Sequence, residues 1–184
     1  MTLLQWFEKG MTFQQYVDSM NVNKDEIQYI FDQVKVEEQL VRKLEELKIK
    51  NWKVVTLTAD WCGDALLCVP IIQKMMEIAQ IETRFLNRDD NLELMDQYLT
   101  NGTSRSIPIF IFMDQDGNEM KVWGPRSSEV EAFVAEKKKE IPDKEDPDFQ
   151  AKQIVVFKEM RSTFMKENLF WDSVMKSVEE KLFS

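Results

Sequence analysis

The sequence predicts an α/β domain carried between two helical extensions. Two observations predict it. Apolar residues recur at helical spacing through residues 1–50 and again from Phe149 to Phe183. Between them the period changes, and short β-branched runs alternate with helical ones in the order strand, helix, strand, helix, hairpin, helix. We therefore divide the chain into an N-terminal helical extension (1–50), an α/β domain (51–140), and a linker with a C-terminal helical extension (141–184).

In the first extension, Thr2 with Gln5 and Thr12 with Gln15 have the spacing of capping boxes, and Gly10 divides two short helices. Asn23 with Glu26 marks a third start. Ile27, Ile30, Phe31 and Val34 then follow the i, i+3, i+4, i+7 pattern of a buried face. Leu40, Val41, Leu44 and Leu47 continue it out of phase, which predicts a bend near Val36. A packing layer over the following domain is the expected role; a partner-binding helix is the alternative.

Lys53 to Thr58 reads as a strand and Gly63 to Ala79 as a helix kinked by Pro70, which lacks an N–H. Ile81 to Leu86 reads as a strand, and Asn91 to Leu99 as a helix stopped by Asn101-Gly102. Ile107 to Met113 and Glu119 to Trp123 form a hairpin about Asp116-Gly117. Ser127 or Ser128 caps a last domain helix ending near Lys139. After the Pro142–Pro147 linker, Phe157, Met160 and Phe164 form one apolar group. Phe170, Val174, Val178 and Leu182 form another, and Asn168 is the expected cap of that second piece.

Composition removes several function classes. The net charge is -9, which opposes a nucleic-acid partner, whose phosphates need a basic face. No apolar run approaches the roughly 18–20 residues of a membrane span. The N-terminus lacks the ordered parts of a secretory signal. Two cysteines without a framework pattern fit a reducing cytosol, so a cytoplasmic location is expected. Histidine is absent, which removes Ser-His and Cys-His nucleophile pairs and His-ligated metal sites.

The chemistry is concentrated in Asp60-Trp61-Cys62-Gly63-Asp64, where a strand turns into a helix. The first amide N–H groups of a helix are unpaired, and their partial positive charge stabilises a thiolate. Cys62 is therefore expected to have a depressed pKa. Asp64 acts both ways, since it favours the helix dipole and repels a thiolate. Cys68 lies six residues further along the helix. At about 1.5 Å per residue that is roughly 9 Å, beyond the ~7 Å Cα separation a disulfide allows. Cys68 reads as core packing.

Residues 52–138 resemble the thioredoxin superfamily. Trp61-Cys62-Gly63 looks like its active-site turn, Pro70 like the proline that kinks its active-site helix, and Ile107-Pro108 like its cis-proline. Gly117 and Gly124 match the hairpin turn and the glycine after the last strand. A closer resemblance is to a bacterial group of thioredoxin-like proteins with a Trp-Cys-Gly-Asp turn. It rests on Arg88 to Asp96, Arg105-Ser106-Ile107-Pro108 and Trp123-Gly124-Pro125-Arg126. The resemblance implies a thioredoxin-like three-layer fold with a mixed central sheet, extended here by helices at both ends.

The departures narrow what the resemblance carries over. Ala65 stands where the resolving cysteine belongs, Thr56 where thioredoxins bury an aspartate, and Phe85 where that aspartate has its lysine partner. What carries over is Cys62 as nucleophile and Pro108 as the substrate-facing proline. In such a fold the loop holding Arg105 lies beside the cysteine, where Arg105 would hold the thiolate or a substrate carboxylate. Arg126 is a further candidate at the rim. Trp61 offers a flat face beside the thiol, and Ile107 offers backbone groups to an extended peptide. Asp89 ends a parallel strand on the same edge, where open α/β sheets place ligands. For each arginine the plain alternative is a solvated ion pair. A metal site from Cys62, Asp64 and Asp89 lacks the spacing of known zinc sites, so no metal or cofactor is expected.

Two functions follow. One is monothiol thiol-disulfide exchange through Cys62, resolved by a protein thiol or by a low-molecular-weight thiol such as glutathione or bacillithiol. The other is a non-catalytic binding module on the same scaffold.

Overall fold

The computed structural model describes residues 1–184. Helices α1 (Leu3–Lys9) and α2 (Phe13–Ser19) each begin with a complete capping box, at Thr2 with Gln5 and at Thr12 with Gln15. Met11, between them, exchanges both backbone hydrogen bonds with Phe85, at 2.9 and 2.8 Å. Helix α3 (Lys24–Gln33) and helix α4 (Glu38–Glu46) are separate, because the chain is extended around Val36. Asn23 precedes α3 in a left-handed conformation, and its side chain does not cap the helix.

Strand β1 (Lys53–Thr58) is central and buried along nearly its whole length, as a continuous β-branched and apolar run requires. Helix α5 (Gly63–Ala79) follows with Pro70 in its interior. Strand β2 (Glu82–Asn87) returns parallel to β1, with Thr56 opposite Phe85. The Met11 bridge therefore covers the outer edge of β2, which would otherwise present unpaired backbone groups.

The expected helix over 91–99 shrinks to one turn, α6 (Leu92–Met95). The chain leaves it where Asp96 takes the Arg105 guanidinium and Tyr98 donates to Glu119. Strand β3 (Ile109–Met113) starts two residues later than expected, because Pro108 has no N–H to give a ladder. It runs antiparallel to β1 and to β4 (Glu119–Trp123), giving the mixed order β2-β1-β3-β4.

Ser127 caps α7 (Ser128–Lys138). Two long helices end the chain, α8 (Phe149–Lys166) and α9 (Asn168–Phe183). Asn168 opens α9 without capping it, and Glu167 occupies the cap position. Helix α5 is buried on most sides, packed by α3, α4, α8 and α9. Both extensions thus share one apolar core with the sheet. No helix is long and apolar enough to cross a membrane.

Candidate functional site

Cys62 is the N-cap residue of α5, with extended backbone, so its side chain faces the unpaired amides of the first turn. The Asp64 and Ala65 N–H groups interact with the sulfur and stabilise its anion. Burial opposes them. Only 8% of Cys62 is exposed, and its Sγ donates to the Ile107 carbonyl at 3.4 Å. Burial first, and then repulsion from Asp64, push the thiol up to about 11, against the amides and a weaker pull from Arg126. The expected depressed thiol is therefore corrected. The helix terminus acts as predicted, but loss of water costs a thiolate more than the dipole returns.

The Ile107–Pro108 and Gly124–Pro125 peptide bonds are both cis. Ile107 is buried, and its carbonyl takes the Cys62 S–H where the sequence had offered it to an extended peptide. Gly124 closes the same corner with φ 136, and a Cβ there would lie 2.2 Å from the Pro108 oxygen.

Arg105 is the second correction. Its Nε and Nη2 donate to the two carboxylate oxygens of Asp96 at 2.6 and 2.8 Å, on the exposed outside of the loop. That pair holds Asp96 below the usual carboxylate range and Arg105 above its own. The arginine beside Cys62 is Arg126, which follows β4. Its Nη2 lies 2.6 Å from Asp64 Oδ2, and it also pairs with Glu131.

Trp61 is 52% exposed and carries the Arg88 guanidinium over its ring at 4.7 Å. Arg88 also donates to Asp89 at 3.0 and 2.7 Å and to the Arg105 carbonyl at 3.2 Å. Asp89 thus neutralises the cation that stacks on Trp61, and it does not line the pocket that holds Cys62. No group of three or more Cys, Asp or Glu is placed to hold a metal ion.

Above Cys62 lies a pocket of about 250 Å³. Trp61, Gly63 and Asp64 line it from the turn, Val134 and Lys138 from α7, and Phe157, Met160, Arg161 and Phe164 from α8. The C-terminal extension therefore covers the site. Arg161 passes over Gly63, whose missing Cβ would sit 4.0 Å from the Arg161 Cγ. The Arg161 Nη1 donates to Asn23 Oδ1 at 3.2 Å, and Asn23 Nδ2 donates to the Asp60 carbonyl at 2.7 Å. One asparagine joins the first extension, the turn before α5 and the last extension.

Below the turn, Tyr16 stacks on Phe85 with centroids 5.2 Å apart and shares a hydrogen bond with Thr58 at 3.0 Å. Burial raises its phenol well above the ordinary value. These groups fill the volume around Thr56 and Phe85 with uncharged contacts, and the Thr56 hydroxyl has no partner. Cys68 is fully buried near the Pro125 carbonyl, and both cysteines are free.

Sequence reading missed Arg161, Lys138, Asn23 and Tyr16 as neighbours of the site. A signal existed for two of them. Phe157, Met160, Arg161 and Phe164 fall at i, i+3, i+4, i+7, so an arginine sits within an apolar helical face. Lys138 stands one turn after Val134 in the same way.

Residues 10–140 match the family model described as thioredoxin. No curated protein matches the chain. Among solved structures, a Pseudomonas aeruginosa protein of unknown function is similar at a TM-score of 0.67 and 12% identity, over 98% of each chain. An HIV epitope scaffold is similar at 0.60 and 12%, over 98% of this chain and 99% of its own. A Fasciola hepatica thioredoxin is 23% identical over 52% of this chain and 89% of its own, with a TM-score of 0.34. At these identities the first two likenesses concern the fold alone.

Proposed function

The chain belongs to the thioredoxin family, and from that premise we propose that it performs monothiol thiol-disulfide exchange through Cys62. The observation that carries the reading is the placement of Cys62. It is the one cysteine on the pocket wall, at the cap of α5, where the Asp64 and Ala65 amides favour its anion. In the exchange, the Cys62 thiolate attacks one sulfur of a disulfide. A Cys62–S–S–R bond forms, and the second sulfur leaves as a thiolate. Ala65 cannot resolve that intermediate and Cys68 is buried in the core, so a second thiol from solution must. The proton passes from Cys62 to water or hydroxide before attack, and the leaving thiolate takes one up from solvent afterwards. This reading places the chain with the Trp-Cys-Gly-Asp group, with small or protein thiols as partners in the cytoplasm.

The test is mass spectrometry of mixed disulfides trapped with oxidised low-molecular-weight thiols and with cell extract. Wild type should carry adducts on Cys62, and Cys62→Ser should carry none. Absence of adducts on wild type, even at alkaline pH, overturns the reading.

A second reading, a binding module without turnover, is favoured by the raised thiol and by the lid of α8. Under that reading Cys62→Ser keeps the cellular role. A variant that loses the role while still binding its partner counts against it.

A further inference from the structure

The pocket over Cys62 has a charge opposite to that of the chain around it. The chain has a net charge of -9, yet Arg126, Lys138 and Arg161 line this pocket against one carboxylate, Asp64. Arg126 is committed to Asp64 and Glu131. The other two cations are not committed to carboxylates. Lys137 and Lys139 pair with neighbouring glutamates, whereas Lys138 between them forms no ion pair. The Arg161 guanidinium has only the neutral amide oxygen of Asn23. Helix α5, 17 residues long, directs its positive N-terminal end at the same space. The facing wall is apolar, made by Val134, Phe157, Met160 and Phe164, with Phe157 left partly exposed.

Elsewhere on an acidic surface, unpaired cations are screened by water and by surrounding carboxylates. Here two converge on one concavity with an apolar floor. Such a site rejects cations by repulsion and gives neutral apolar molecules only burial. An anion with an apolar body gains both terms. We propose that this pocket binds a small amphipathic organic anion, its apolar body against Phe157, Met160 and Phe164 and its acidic head at Arg161 and Lys138. Binding requires no reaction at Cys62, so the proposal goes beyond thiol exchange and stands separately from it. A bound anion would lie over the thiol and control its access to a second reactant.

Three probes with one apolar body separate the contributions: octanoate, octanol and octylamine, titrated calorimetrically into the full reduced chain. Octanoate should bind one to one, about tenfold tighter than octanol, with octylamine weakest. Saturating octanoate should slow alkylation of Cys62 by iodoacetamide. Lys138→Glu should weaken octanoate about tenfold and leave octanol unchanged, and Arg161→Gln should weaken octanoate about tenfold more than it weakens octanol. Cys62→Ser should bind octanoate like wild type. Equal binding of the three probes overturns the proposal, as does absence of octanoate binding. Octanoate affinity indifferent to both cation variants overturns it too. Octanoate binding without any Cys62 adduct keeps the anion site and removes thiol exchange; adducts without octanoate binding do the reverse.

Discussion

Asp64 holds Arg126 at 2.6 Å beside the Cys62 sulfur, with the two side chains 13% and 15% exposed. The cation that favours the thiolate is thereby neutralised, and the carboxylate that neutralises it repels the thiolate. Burial is the larger cause of the raised thiol, and repulsion from this paired carboxylate is the second. Asp64→Asn removes the repulsion and releases Arg126 toward the sulfur. The alkylation midpoint of Cys62 should move down by about one pH unit. The check is the iodoacetamide rate followed against pH in wild type and variant. An unchanged midpoint would show that burial alone sets the thiol.

The raised thiol also makes a statement about stability. Cys62 moves from an ordinary 9.0 to about 11 on folding, so the unfolded chain releases this proton first. Below pH 9 both states keep the proton and the folded state bears no penalty. As pH rises from 9 through 11 the penalty grows, reaching about 2–3 kcal/mol, and above that it is constant. Cys68 and Tyr16 are raised as well and act in the same direction. The comparison is therefore between wild type and Cys62→Ala in urea unfolding, below pH 9 and near pH 11. The variant should lose less stability across that window.

Two glycines in the site should behave oppositely. A Cβ on Gly124 would sit 2.2 Å from the Pro108 oxygen, at a backbone φ of 136 that side chains rarely adopt. Gly124→Ala should cost about 3 kcal/mol or more, because backbone must move to admit it. Gly63 begins α5, and a Cβ there meets nothing nearer than the Arg161 Cγ at 4.0 Å. Gly63→Ala should stay within about 1 kcal/mol of wild type, on the stabilising side. Thermal melts of both variants check the contrast.

What was legible in the chain divides along contact range. Strand β1 and helix α5 have the ends read from sequence, since a β-branched run and a Cys-Gly turn are local signals. The capping boxes at Thr2 and Thr12 depend on residues three apart, and both form. The thiol was misread because its pKa combines a local term, the helix terminus, with a distant one. Burial of Cys62 comes partly from α8, almost a hundred residues later in the chain. Arg105 was misplaced for a more local reason, its partner being nine residues away. Its partner Asp96 lies on a segment that turns outward where a longer helix was expected. Pattern reports which face of an element is apolar, and packing decides which charged group stands over it.

Asn23 shows that division at one residue. It has the residue type of a helix cap, yet its amide spans Asp60 and Arg161 at 2.7 and 3.2 Å, the second partner 138 positions away. If this bridge holds α8 over the pocket, cutting it should expose the thiol without unfolding the chain. Asn23→Gly is the suitable change, because Asn23 has φ 59 and glycine keeps that backbone without strain. Two lost hydrogen bonds, worth roughly 1–2 kcal/mol together, predict about five- to thirtyfold faster alkylation of Cys62 at unchanged helix content. Arg161→Ala cuts the bridge from the other side and should accelerate alkylation similarly. The double variant should add little to either, since both act on one contact. Rates equal to wild type in both single variants would mean that the apolar contacts of Phe157, Met160 and Phe164 hold α8 in place unaided.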